Sequence, residues 1–132
     1  MRIKLTTVYV DDQEKALRFY TEVLGFAKKA DFSQGPFRCL TVVSPQDPEG
    51  TELQLDLNDH PATRAYQQAM LQHKKPAALF FTDDLDGDYE RMTACGAEFA
   101  MPPTDFTASK IAILNDTCGN LIQITQTMGR ES

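Results

Sequence analysis

Apolar and polar residues alternate strictly along Thr51-Glu52-Leu53-Gln54-Leu55-Asp56-Leu57. A period of two places Leu53, Leu55 and Leu57 on one face of a strand and Glu52, Gln54 and Asp56 on the other. Residues 3–10 read as a second strand rich in β-branched side chains, with Leu5, Thr7 and Tyr9 opposite Thr6, Val8 and Val10. Between these strands the period lengthens. Ala16, Leu17, Tyr20, Val23 and Leu24 fall on one helical stripe. Asp11 is placed to cap that helix, with Glu14 three residues later as a capping box requires. Gly25 is placed to end it in the left-handed conformation. Strands over residues 26–32 and 37–43 follow, joined by the turn Ser33-Gln34-Gly35-Pro36. A loop carrying Pro45, Pro48 and Gly50 leads into the alternating strand. The predicted order is β-α-β-β-β.

The same order then returns. Thr82-Asp83-Asp84 runs through to Ala94-Cys95-Gly96-Ala97-Glu98-Phe99, and is one residue shorter from aspartate to glycine than the first copy. Gly50-Thr51-Glu52-Leu53-Gln54-Leu55 matches Gly119-Asn120-Leu121-Ile122-Gln123-Ile124, about seventy residues on. Two copies are too few for a solenoid, so the pattern predicts one pseudo-symmetric domain over residues 1–132. Module one covers residues 1–58, a linking helix 59–75 and module two 76–127. Module two is expected as a strand at 77–82, a helix at 84–94, a short strand at 98–101, a Pro102-Pro103-Thr104-Asp105 loop, a strand at 110–114, a tight turn at 115–119 and a strand at 121–127. In the link, Pro61 suits a first helical turn. Ala62, Ala65, Tyr66, Ala69 and Met70 have the spacing of a buried stripe, and Pro76 stops the helix. Residues 128–132 read as a frayed tail.

Composition narrows the function. The chain has 132 residues and a net charge of −6. No excess of Lys or Arg exists to displace counterions from a phosphate backbone, so no nucleic-acid partner is expected. No apolar run approaches the roughly 20 residues of a membrane helix. The first residues lack the apolar core of a signal peptide, so the expectation is a cytoplasmic protein with no membrane partner. Cys39, Cys95 and Cys118 are odd in number and far apart, with no Cys-x-x-Cys spacing, and are expected as buried, apolar-like thiols. His60 and His73 lie thirteen residues apart around the linking helix and read as surface or cap residues. The Asp83-Asp84-Leu85-Asp86-Gly87-Asp88 run lacks the closing Glu of a calcium loop and reads as acidic residues at a helix N-terminus.

The run Val10-Asp11-Asp12 … Phe19-Tyr20-Thr21-Glu22-Val23-Leu24-Gly25-Phe26 closely resembles the first-module signature of the vicinal-oxygen-chelate superfamily. That superfamily holds glyoxalase I, bleomycin-resistance proteins and extradiol dioxygenases. Asn115-Asp116-Thr117-Cys118-Gly119-Asn120-Leu121-Ile122-Gln123-Ile124 resembles its closing strand. The resemblance covers nearly the whole chain, and it specifies fold more closely than function. It implies an α+β fold of paired β-α-β-β-β modules that curl mixed sheets around a shared cavity. It also implies a homodimer, in some members with modules exchanged. In metal-using members a side chain from the first and last strand of each module meets in the cavity. The corresponding positions here are Leu5, Ala77, Gln54 and Gln123. Two of these have no donor atom and two have only neutral amide oxygens, whereas a divalent cation wants several imidazole or anionic oxygen donors. No metal and no cofactor are therefore expected.

On the cavity faces that the resemblance implies, alternation places Leu5, Thr7 and Tyr9; Glu52, Gln54 and Asp56; Ala77, Leu79 and Phe81; and Leu121, Gln123 and Thr125. Apolar walls with a few hydrogen-bonding groups suit a small-molecule ligand, with Thr7, Tyr9, Gln54, Asp56, Phe81 and Gln123 as the binding residues. The simplest role for Gln54 and Gln123 is to hydrogen-bond each other. For Phe32, Phe37 and Phe106 it is core packing, and stacking on a ligand is the alternative. Tyr9 and Asp56 could serve as acid or base, and Cys39 or Cys118 as nucleophile, but no catalytic constellation is visible. Three readings follow. The leading one is a metal-independent small-molecule-binding protein. The second is a divalent-metal-dependent lyase or isomerase of glyoxalase type, or a related dioxygenase. The third is a dimeric interaction module whose cavity is filled by its own side chains.

Overall fold

The repeated alternation becomes two four-stranded mixed sheets. The computed structural model describes residues 1–127, so the tail expected at 128–132 lies outside the described residues. Strands β1 (Leu5–Val10), β2 (Ala27–Gln34), β3 (Phe37–Val43) and β4 (Glu52–Leu57) form one sheet in the order β1-β4-β3-β2. Strands β5 (Ala78–Phe81), β6 (Glu98–Asp105), β7 (Ser109–Asn115) and β8 (Leu121–Thr127) form the other in the equivalent order β5-β8-β7-β6. In each sheet the first and last strands pair parallel and the rest antiparallel. Helices α1 (Gln13–Arg18), α2 (Pro61–Gln72) and α3 (Leu85–Ala94) complete the α+β fold.

One apolar cluster joins both sheets. Val8, Leu53 and Leu55 from the first sheet and Leu114, Ile122 and Ile124 from the second are buried, together with Tyr20 beyond α1 and Leu85 and Met92 of α3. The alternation therefore assigns core and open faces as expected: Leu53 and Leu55 go in, while Glu52, Gln54 and Asp56 face away.

Several local expectations are corrected. The α1 cap is Asp12, whose carboxylate accepts from Lys15 N–H at 3.1 Å, while Asp11 forms an ion pair with the Lys15 ammonium at 3.1 Å. Strand β1 starts at Leu5, and Ile3 is exposed. Strand β2 starts at Ala27 and extends to Gln34, so its turn shrinks to Gly35 and Pro36. Beyond α1 the chain widens into a π-helical turn over Phe19–Val23, with Leu24 N–H bonded to Phe19 C=O at 3.1 Å. The wider turn lets adjacent Phe19 and Tyr20 both reach the core, where their rings meet edge to face at 5.6 Å. Gly25 ends the helical segment at φ +86°. The expected loop at Pro102 and Pro103 is instead part of β6. That strand is the sheet edge, where a missing N–H costs no ladder bond, and its register shifts on both sides of Met101.

The linking helix departs most. Pro61 opens it and the His60 imidazole Nδ1 accepts from Ala62 N–H at 3.0 Å. Its predicted stripe is not buried: Ala62, Ala65, Tyr66 and Ala69 are exposed, and Met70 is only partly covered. The buried residue is Gln67. Its Nε2 donates to the carbonyls of Tyr9 and Cys118, each at 2.9 Å, and to Asn120 Oδ1 at 3.2 Å. Its Oε1 accepts from Asn58. Gly119, at φ +101°, makes room for this amide, because a Cβ there would lie 2.6 Å from Gln67 Nε2.

Gln67 belongs to a buried polar network centred on Asp116, which is fully buried. Asp116 Oδ1 accepts from the backbone N–H groups of Cys118 at 2.7 Å and Asn120 at 3.0 Å. Its Oδ2 accepts from Tyr20 Oη–H and Asn120 Nδ2, both at 2.7 Å. Asn120 Nδ2 also donates to Tyr9 C=O at 2.7 Å. The β7–β8 turn is thus bonded to the first helical segment, to β1 and to the linking helix. Burial, and then the nearby Asp116 carboxylate, raises the Tyr20 phenol well above its ordinary pKa. Burial likewise pushes the Cys118 thiol up to about 12.

Two predictions follow from this network. Tyr20→Phe removes one donor to a buried carboxylate and should cost about 1–3 kcal/mol in urea unfolding. Asp116→Ala strands four donors at once and should cost more. If Tyr20→Phe unfolds at the wild-type midpoint, the network is not a principal link between the sheets. The second prediction concerns alkaline pH. The unfolded chain ionises its thiol and phenol at their ordinary values of 9.0 and 10.0, below the folded ones. The folded state then holds more protons, so stability should fall as pH rises above about 9, and Tyr20→Phe should flatten the loss above about 10.

Candidate functional site

The parallel strand pairs set the geometry of the candidate site. In the first sheet Thr7 lies beside Gln54 and Tyr9 beside Asp56. In the second, Leu79 lies beside Gln123 and Phe81 beside Thr125. All six proposed binding residues stand on strand positions out of phase with the core residues. Four of them, Thr7, Tyr9, Gln54 and Asp56, share the first sheet, while Phe81 and Gln123 belong to the second.

Each sheet satisfies its own glutamine. Thr7 Oγ1 donates to Gln54 Oε1 at 3.0 Å, and Gln54 Nε2 approaches Cys39 Sγ at 4.0 Å. Gln123 Nε2 donates to Thr125 Oγ1 at 3.2 Å. The expected hydrogen bond between Gln54 and Gln123 is therefore replaced by two local ones. The pseudo-symmetry survives in register but not in chemistry, since Gln54 has a hydroxyl on its neighbouring strand where Gln123 has Leu79.

Tyr9 is anchored through its backbone and packed at its ring. Its carbonyl accepts from Gln67 and Asn120, while its ring meets Tyr66 of α2 edge to face at 6.4 Å and 82°. Asp56 is half-buried. Desolvation raises its carboxyl above the ordinary value, the Leu57 backbone N–H opposes this, and the charge of Asp59 adds to it. Glu52 is held down by the Thr41 hydroxyl at 2.7 Å and by Lys4 at 3.2 Å. Phe32, Phe37 and Phe106 are not core residues; they are 57%, 52% and 51% exposed near the hairpin ends. Phe81, 65% exposed, lines two adjoining clefts between the sheets, of about 460 and 400 Å³, whose walls do not include Gln54 or Gln123.

The donor set does not fit a divalent cation. Leu5 lies beside Glu52 and Ala77 just precedes β5, so the strand neighbours of Gln54 and Gln123 are Thr7 and Leu79. Either assignment supplies neutral oxygens and hydrocarbon, without an imidazole or an anionic ligand. Among the described residues no cluster of three His, Cys, Asp or Glu side chains is placed to hold a metal. His60 is committed to capping α2, and His73 lies at the opposite end of that helix. The thiols divide: Cys118 is buried, Cys39 half-buried and Cys95 exposed, which corrects the expectation that all three are buried. A thiol whose pKa is raised to about 12 is a poor nucleophile, so Cys118 serves packing.

The network behind the site was missed in the sequence. A signal for it was present in Asn115-Asp116-Thr117-Cys118-Gly119-Asn120, where two side chains able to bond backbone groups flank a glycine. Nothing in the linking segment marked Gln67.

Comparison with known proteins agrees with this architecture. Residues 2–124 match the model of the Glyoxalase/Bleomycin resistance protein/Dioxygenase superfamily. The chain is 47% identical over 126 residues to the uncharacterized protein YurT of Bacillus subtilis (strain 168), covering 96% of this chain and 99% of that one. The crystal structure of UcmS2 superposes with a TM-score of 0.83 at 27% identity, covering 95% of this chain and 97% of that one. TnmS3, an antibiotic binding protein from Streptomyces sp. CB03234, superposes with a TM-score of 0.77 at 29% identity, covering 96% of each chain. Among the described residues no helix is long and apolar enough to cross a membrane.

Proposed function

The chain belongs to the glyoxalase/bleomycin resistance protein/dioxygenase superfamily, and from that premise we propose that it is a cytoplasmic, metal-independent binding protein for a small, partly apolar molecule. The observation that carries this reading is the donor set of the open faces. They offer an amide and hydroxyl pair at Gln54 and Thr7, a second amide at Gln123 and aromatic rings at Tyr9 and Phe81. Such groups orient a ligand by hydrogen bonds and cover it with apolar surface. They do not assemble a Lewis-acid centre, and among the described residues no nucleophile is paired with a base. Glyoxalase-type lyase, isomerase or dioxygenase chemistry thus lacks its usual starting point here. The similarity to TnmS3, which is described as an antibiotic binding protein, supports sequestration as the mode of action.

Within one chain the two faces lie on separate sheets around a common core. A homodimer that sets the first sheet of one copy against the second sheet of its partner would bring a Gln54 face and a Gln123 face together. It would also cover Leu79 and Phe81, which are 55% and 65% exposed. An interaction module with no ligand would require these faces to close on each other without a remaining cavity.

Thermal melts and elemental analysis of the purified protein test this reading. The melting temperature should not respond to Ni2+, Zn2+, Mn2+, Fe2+ or a chelator, metal should be substoichiometric, and light scattering should give twice the chain mass. A small-molecule library should contain compounds that raise the melting temperature. One tightly bound metal per chain, with loss of stability on chelation, would overturn the proposal.

A further inference from the structure

The open face of the first sheet is unevenly charged. Its inner strand β4 presents Glu52, Gln54 and Asp56 in turn. Glu52 is compensated, with Lys4 at 3.2 Å and the Thr41 hydroxyl at 2.7 Å. Asp56 has no such side-chain partner, only the Leu57 backbone N–H. Among the described residues it forms no salt bridge, and the one charged group acting on it is Asp59, a second carboxylate. Its partner on the flanking strand is Tyr9. The basic side chains of β2 and β3 are engaged elsewhere: Arg38 with Asp31 and Glu14, Lys28 with Asp31, and Lys29 with Glu49. In the second sheet Lys110 is held by Asp86 of α3 at 2.7 Å. The positions around Gln123, namely Leu79, Ile113 and Thr125, carry no charge.

A half-buried carboxylate without a cation is costly to the free protein, and a ligand that supplies the cation recovers the cost. The geometry points to a ligand that carries a cationic nitrogen on an aromatic or other apolar frame, with Asp56 as its counter-ion and Tyr9 beside it. This rests on the binding-protein reading above and sharpens it to one chemical class. An ammonium on the Asp56 carboxylate would gain a charge-assisted hydrogen bond, and the adjoining Tyr9 ring would add a cation–π contact. An anionic ligand would meet Asp56 and Asp59 with no basic group among the described residues paired to either. The unremarkable alternative is that Asp56 is simply hydrated at the end of its strand, in which case it would not discriminate among ligands by charge.

Three probes with one ring system separate these cases: 1-naphthylmethylamine, 1-naphthylmethanol and 1-naphthoate, titrated calorimetrically into the full-length protein at neutral pH. The amine should bind about tenfold more tightly than the alcohol, equivalent to about 1.4 kcal/mol, and the carboxylate most weakly. Asp56→Asn should abolish the preference for the amine over the alcohol. The same substitution removes a desolvated charge, so the free variant should melt no lower than wild type. Equal affinity for the amine and the alcohol, or an amine preference that survives in Asp56→Asn, would overturn the counter-ion role while leaving the binding reading intact. If none of the three binds, and a broader library also fails, the binding reading itself falls and takes this inference with it.

Discussion

The Asp116 carboxylate holds the two halves of this molecule in one arrangement. It is fully buried, yet it carries four hydrogen bonds, from two backbone amides of its own turn, from Asn120 and from Tyr20, 96 residues away in sequence. A buried carboxylate with fewer donors would be a liability. With these donors it is a directional link, since three of them fix the carboxylate within its own turn and the fourth ties that turn to Tyr20. Among the described residues no buried side-chain polar atom is left without a partner. Apolar contact between the sheets supplies the driving force, and the Asp116 network supplies the register in which they meet.

That link also positions the candidate site. Asn120 and Gln67 extend the network to the Tyr9 carbonyl, fixing β1 from behind while the Tyr9 ring remains on the open face. Alternation then carries the effect along the strands. Once Val8, Val10, Leu53 and Leu55 are fixed in the core, Thr7, Tyr9, Gln54 and Asp56 must stand on the other side. The open face is thus a consequence of core packing, and its chemistry can vary without disturbing the fold.

Much of this was legible in the sequence because it depends on period. The β-α-β-β-β order, the repeat, the face carrying Gln54 and the stop at Gly25 all follow from alternation, helical spacing or a positive φ. What was not legible depends on partners distant in sequence. Gln67 reads as a surface residue of an amphipathic helix until the carbonyls of Tyr9 and Cys118 are placed beneath it. The alanine stripe of α2 has helical spacing but no core to meet. Asp11 and Asp12 are equivalent candidates for a cap, and only backbone geometry decides between them. Pro102 and Pro103 signal a loop, and become admissible in a strand once β6 is known to be an edge. Phe32, Phe37 and Phe106 have core composition, and their position near hairpin ends leaves them in solvent.

The most direct test of the account is a map of backbone amide shifts as the tightest of the three naphthyl probes is titrated into isotopically labelled protein. The account predicts shifts centred on Thr7, Tyr9, Gln54 and Asp56 of the first sheet and Gln123 of the second. Shifts confined to the clefts between the sheets, around Phe26, Ser44 and Arg91, would contradict it and move the binding site into those clefts.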